Sequence, residues 1–108
     1  MHDRPSEPDW KIFRDMVPEL RERYLAQRNP ELIAILQDDL LSPTEQFWKA
    51  EERIQEEAKI LRTCLDGHSR SRMVEYMMLM YRYKMLNDED LKRFSGDLRE
   101  RVVRLPES

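Results

Sequence analysis

The segment from residue 70 to residue 86 has the most continuous apolar pattern in the chain and predicts its central helix. It holds five of the seven methionines and three of the four tyrosines. At about 100° per residue, Met73, Met77 and Met80 share one side of this helix. The opposite side is equally apolar and carries Tyr76, Leu79, Tyr83 and Leu86. A helix that is apolar nearly all round must be buried on more than one side.

Apolar residues at steps of three and four predict a first helix over about residues 10–27, N-capped by Asp9. Pro18 lies inside this period, so we favour one helix that kinks there, with a break into two short helices as the alternative. Asn29 as an N-cap and Pro30 in the first turn then predict the start of a second, short helix, which should end between residues 37 and 40. The apolar positions of the first helix are Trp10, Phe13, Val17, Leu20 and Tyr24.

Ser42, Pro43 and Glu45 are the strongest local start signal, a capping box with proline in the first turn. They predict a long helix over about residues 43–65. Its period-seven apolar residues are typical of a coiled-coil seam. We expect its whole apolar stripe to be buried, namely Phe47, Ala50, Ile54, Ala58, Leu61 and Leu65.

Gly67 is suited to end this helix, because glycine readily takes the left-handed backbone conformation. The short connection to the 70–86 helix makes the two helices antiparallel neighbours. Asn87 predicts the cap of one last helix that ends before Pro106. Its apolar residues are Leu91, Phe94, Leu98 and Val102.

These patterns predict an all-α fold, a small bundle of four or five helices built on a long antiparallel hairpin of about residues 43–86. We expect one domain over residues 9–103. Proline and alternating charge predict a flexible tail at residues 1–8, and a second tail is expected at 104–108.

Composition limits the function classes. The chain of 108 residues has a net charge of −3, so it lacks the strongly basic balance typical of a DNA-binding domain. A mean hydropathy of −0.84 and the absence of an 18-residue apolar run argue against a membrane span. The first residues lack the apolar core of a secretory signal. One cysteine cannot form an internal disulfide, which favours a reducing cytoplasm.

The loop at residues 67–72 is the most suggestive polar cluster. Arginines beside the free N–H groups of a helix start can hold an anion, such as a phosphorylated small molecule or a nucleic-acid phosphate. The candidate ligands are Arg62, His68, Arg70 and Arg72. The alternative is a solvated loop whose serines cap the helix and whose arginines pair with nearby acids. No glycine-rich phosphate loop favours the first interpretation.

Neither a metal site, a cofactor site nor a catalytic site is predicted. Cys64 and His68 are four residues apart, but Gly67 interrupts the helix between them, and the only other histidine is His2. A di-iron bundle needs Glu-x-x-His pairs, which the chain lacks. We expect the acids of the long helix to form a solvated face: Glu51, Glu52, Glu56 and Glu57. We therefore favour a non-enzymatic protein.

The predicted function is protein–protein association, as a regulator or adaptor, with a second copy of the chain covering the second apolar side of the 70–86 helix. The expected homodimer interface is Met73, Met77, Met80 and Tyr81. Two alternatives are a helix buried entirely within one chain and an apolar groove for a foreign helix or small apolar ligand. Nucleic acid and membrane are not expected partners, and anion binding at the loop is the alternative function.

Overall fold

The computed structural model describes residues 5–104 and contains five α-helices and one 3₁₀ turn, with no strand in that part of the chain. The prediction of an all-α bundle is confirmed. The helices are α1 (Glu7–Leu36), α2 (Pro43–Leu65), α3 (Met73–Arg82), α4 (Asp88–Leu91) and α5 (Gly96–Val103), and the 3₁₀ turn is Arg70–Arg72.

Helix α1 is one continuous helix of 30 residues that passes through both Pro18 and Pro30. Pro18 therefore does not break the helix, and the predicted restart at Asn29 is wrong. A proline inside a helix costs about 3 kcal/mol. Contacts with α2 lie on both sides of Pro30, through Arg28 before it and Glu31 after it, and they hold the helix together across this position.

The beginning of α1 also differs from the prediction. Ser6 is the N-cap, and its Oγ accepts a hydrogen bond of 3.2 Å from the backbone N–H of Asp9. The Asp9 carboxylate instead accepts hydrogen bonds from the N–H and Oγ of Ser95. Pro5 is buried and its carbonyl accepts a 2.8 Å hydrogen bond from Arg70. The predicted tail therefore does not include residues 5–8, and residues 1–4 lie outside the described part of the chain.

Helix α2 has the predicted bounds. The Ser42 Oγ accepts from the Glu45 N–H at 3.1 Å, and the Glu45 carboxylate accepts from the Ser42 N–H at 2.8 Å. The capping box is therefore confirmed. Gly67 follows the helix with a φ of 75°.

The long antiparallel hairpin is formed by α1 and α2, not by residues 43–86. Three successive contacts run in opposite directions along the two helices: Tyr24 with Glu57, Glu31 with Arg53, and Asp38 with Gln46. Helix α3 is only 10 residues long and contacts α2 near the core.

Helix α3 ends early because the chain turns at Lys84, which has a φ of 64°. The backbone N–H groups of Met85 and Leu86 both donate to the Met80 carbonyl, at 2.8 and 3.1 Å. This turn returns the Met85 and Leu86 side chains to the core, where each residue is 1% exposed. The apolar pattern predicted one helix to residue 86, but a turn buries the same side chains.

The predicted last helix is divided into α4 and α5. Asn87 caps α4 through a capping box with Asp90, as its sequence position predicts. Ser95 then caps α5 and also binds Asp9, so the chain turns there and rests against the start of α1. The four predicted apolar positions are nevertheless all buried, namely Leu91, Phe94, Leu98 and Val102.

The buried core lies towards one end of a molecule 57 Å long. It is formed by the first half of α1, the last turn of α2, and α3 to α5. Although residues 25–63 are all described, no buried member of this core comes from them. Its members are Phe13, Met16, Val17, Leu20, Tyr24, Cys64, Leu65, Met73, Tyr76, Met77, Met80, Met85, Leu86, Leu91, Phe94, Leu98 and Val102.

Candidate interaction surface

The part of the hairpin that contributes no fully buried side chain to the core is called the arm and comprises residues 25–61, of which Ile60 and Leu61 pack against the edge of the core. Its two helices pack mainly on each other. A helix pair buries only the facing side of each helix, so any apolar side chain elsewhere on the arm stays in solvent. The arm has a polar contact between its two helices and an apolar face that is exposed to solvent.

Glu57 is the centre of the polar contact. It accepts a 2.5 Å hydrogen bond from the Tyr24 hydroxyl and a 3.0 Å hydrogen bond from Arg53 Nε. Arg28 Nε lies 3.8 Å from the same carboxylate, and Arg53 also binds Glu31. Glu57 is 8% exposed, so the prediction that it belongs to a solvated acidic face is wrong.

Burial and hydrogen bonding shift the pKa values of two groups in this contact. Burial raises the pKa of Tyr24, and its hydrogen bond to Glu57 raises that pKa further. Hydrogen bonds to Glu57 and Glu31 raise the pKa of Arg53 above its ordinary value. The tyrosine therefore stays neutral and the arginine charged at physiological pH. Every group in the contact has a partner on the facing helix, so its role is to fix the register of α1 on α2.

The apolar face of the arm is exposed to solvent. Six of the eight large exposed apolar residues in the described part of the chain lie between residues 33 and 54. Their exposed fractions run from 50% for Leu36 and Ile54 to 94% for Leu40. The six are Ile33, Leu36, Leu40, Phe47, Trp48 and Ile54. Phe47 and Trp48 also pack edge to face, with ring centres 4.9 Å apart.

A groove of about 260 Å³ continues this face between the two helices. Its apolar walls come from both helices, and its polar edge comes from Arg28, Asn29 and Glu57. Grooves of this kind accept the apolar side chains of another helix. The apolar lining is Leu25, Leu32, Ile54, Ala58 and Leu61.

The structure corrects the predicted interface residues. Met73, Met77 and Met80 are each 0% exposed, and they pack in the core of the single chain. They have no surface for a second chain, because α2 and α5 contact α3 and the first half of α1 contributes to the same core. Tyr81 is partly buried, and its hydroxyl donates a 2.8 Å hydrogen bond to Asp88. The dimer itself stays a prediction and requires another surface.

The predicted anion ligands do not converge on an open site. Arg70 donates to the Pro5 carbonyl and to Glu7, at 2.8 and 2.7 Å. Arg72 donates to Glu75 at 3.0 Å and lies over the Tyr76 ring. These arginines therefore have acidic partners on their own chain, as the alternative interpretation of the loop predicts. Arg62 lies on an exposed part of the last turns of α2.

His68 is part of the aromatic packing next to the core. Its ring packs edge to face against Phe13 and Tyr76, with ring centres 4.9 and 4.6 Å apart. Its Nε2 lies 2.7 Å from the Cys64 carbonyl. Cys64 is buried, and burial raises the pKa of its thiol to about 11. Within residues 5–104, no group of three histidine, cysteine or acidic side chains is arranged to hold a metal ion.

Sequence periodicity identified the apolar stripe of α2 but wrongly predicted that the whole stripe is buried. Phe47 and Ile54 were predicted to be buried, and they are 57% and 50% exposed. The seven-residue repeat that Phe47 and Ile54 form with Leu61 is the feature of the sequence that pointed to this surface, since such a repeat is typical of a helix that packs on another helix.

Comparison with known proteins gives no further guidance, because no family model, curated protein or solved structure matches this chain. In the described part of the chain, every helix is too short or too polar to cross a membrane.

Proposed function

We propose that this chain is a non-enzymatic association module that forms a homodimer through the apolar face of the arm, as a regulator or adaptor of the cytoplasm. The observation that carries the proposal is that one projecting helix pair presents six large apolar side chains to solvent, each at least half exposed. A patch of this kind on a projecting element marks an interaction surface.

The dimensions of the arm fit such a role. From Pro43 to Leu61, α2 rises about 27 Å, and two helices side by side are about 20 Å wide. Two copies that pack by this face would bury about 1,100 Å² in total, close to the lower limit of a specific interface. A dimer of modest and concentration-dependent stability is therefore expected.

Light scattering behind a sizing column tests the proposal over a range of concentrations. We expect the mass to approach twice the 13.2 kDa of one chain as concentration rises. Ile54→Lys should return the mass to that of one chain, because a lysine at the centre of the face would be desolvated in the dimer. Val103→Lys is the matched control, since Val103 is 43% exposed but lies on α5.

Two results would contradict this proposal. The first is a wild-type mass of 13.2 kDa at every concentration. The second is a dimer that survives Ile54→Lys unchanged. Anion binding at the 67–72 loop is not advanced as a second function, because Arg70 and Arg72 already pair with acids of their own chain.

A further inference from the structure

We infer that the two copies pack with their arms antiparallel, α2 against α2, with Ile54 at the two-fold axis. This inference rests on the proposed homodimer and specifies its geometry. Three features of the arm carry it: the spacing of its apolar stripe, the distribution of its charge, and the room in its groove.

The apolar stripe of α2 is symmetric about Ile54. Phe47 lies seven residues before it and Leu61 seven residues after it, so all three fall on one side of the helix. In two antiparallel helices that cross at Ile54, Phe47 opposes the second copy's Leu61 and Ile54 meets its own counterpart. A two-fold interface needs this self-complementarity, because each contact occurs twice.

The charge of the arm favours the antiparallel over the parallel arrangement. The tip, residues 29–52, carries six acidic side chains and one lysine. The root, residues 25–28 with 53–61, carries three basic and two acidic side chains, so it is much less acidic than the tip. Antiparallel packing places each acidic tip beside the other copy's root, which carries a small net positive charge. Parallel packing would bring the two acidic tips together, and such like-charge contacts are unfavourable.

The groove gives the antiparallel neighbour a place to pack. Ala58 has the smallest side chain in the apolar lining, next to Ile54 and Leu61, and it leaves room for a side chain of a facing helix. The second copy's Ile54 and Phe47 would enter from the open side, opposite to the Glu57 contact. This position covers the half-exposed stripe and leaves the α1–α2 register unchanged.

Disulfide cross-linking at equilibrium tests the geometry, in a Cys64→Ala background with a glutathione redox buffer. A disulfide needs Cα atoms about 4.4–6.8 Å apart. We expect Ile54→Cys to link to itself, and Phe47→Cys to link only when mixed with Leu61→Cys. In the antiparallel dimer the two copies of position 47 are about 21 Å apart, so Phe47→Cys alone should not link. Val103→Cys is the control that reports random collisions.

The salt dependence of the wild-type dissociation constant is an independent measurement that needs no cysteine variant. Between low and high salt, we expect the antiparallel dimer to weaken by roughly three- to tenfold, because the tip-to-root attraction is screened. Self-linking of Phe47→Cys, or a dimer that strengthens with salt, would indicate parallel arms and overturn this inference while the proposed function stands. A dimer in which none of these positions links would also overturn it. A chain that stays monomeric would instead refute the proposed function.

Discussion

Met77→Lys is expected to unfold the domain rather than to dissociate a dimer. Met77 lies on α3, is 0% exposed and packs in the core, where α3 contacts α2 and α5. A lysine there would bury a charge without a partner, and such changes cost about 4 kcal/mol or more. Since small domains have a total stability of about 5–15 kcal/mol, this loss is a large fraction of the free energy of unfolding. Urea unfolding followed by circular dichroism measures this loss.

Two variants show whether the loss arises from the buried charge. Met77→Leu keeps the volume and apolar character of the side chain and should lower the free energy of unfolding by less than about 1.5 kcal/mol. Ile54→Lys introduces the same charge on the arm and, measured on the monomer, should change that free energy by no more than about 0.5 kcal/mol. If Met77→Lys stayed folded and only lost self-association, the methionines would be interface residues after all.

The methionines show what periodicity can and cannot predict. The pattern predicted one helix over residues 70–86, of which only residues 73–82 form α3, and it correctly indicated that this segment is buried. The covering elements come from distant parts of the sequence, since Phe13 and Leu20 of α1 and Leu98 of α5 belong to the same core. No local pattern shows which of two apolar helices finds a partner within the chain and which remains exposed.

Two of the predicted helix caps, at Ser42 and Asn87, are present in the structure, whereas those at Asp9 and Asn29 are not. The predicted Ser42–Glu45 capping box depends only on residues three apart, and so does the cap at Asn87, which the structure completes with Asp90. The continuity of α1 through Pro30 could not be predicted in this way. It depends on Glu57 and Arg53 of α2, whose contacts with the residues around Pro30 exist only after the two helices have packed.

The sequence predicted an apolar interaction surface but placed it on the wrong helix. An apolar face available for self-association was expected, and its residues were placed on the central helix. The arm has this face because its helices extend beyond the core, and the length of α1 was underestimated when Asn29 was interpreted as a new cap. The buried Glu57 was missed because its partners Tyr24 and Arg28 lie on α1, and no local pattern shows that α1 packs along α2.

A second large loss of stability is expected from Asp90→Ala. The Asp90 carboxylate pairs with both terminal nitrogens of Arg23, at 3.0 and 2.5 Å, and accepts a 2.8 Å hydrogen bond from the Asn87 N–H. Arg23 also donates a hydrogen bond to the Met85 carbonyl at 3.0 Å. This one side chain therefore connects α1 both to the turn after α3 and to the cap of α4. Losing the cap and the bidentate pair should cost about 2–3 kcal/mol. Urea unfolding at pH 7 measures the change.

The same carboxylate should make stability depend on pH. Burial alone would raise the pKa of Asp90, but hydrogen bonds from Arg23 and Asn87 outweigh it and hold the pKa below its ordinary value of 3.8. The ionised form therefore stabilises the fold above about pH 4, and this contribution is lost as pH falls through the folded-state pKa. Asp90→Asn keeps an acceptor for both partners but cannot titrate. Urea unfolding at pH 7, 5 and 3 should show a shallower acid loss for Asp90→Asn than for the wild type, and equal losses would mean that other carboxylates determine the acid limit.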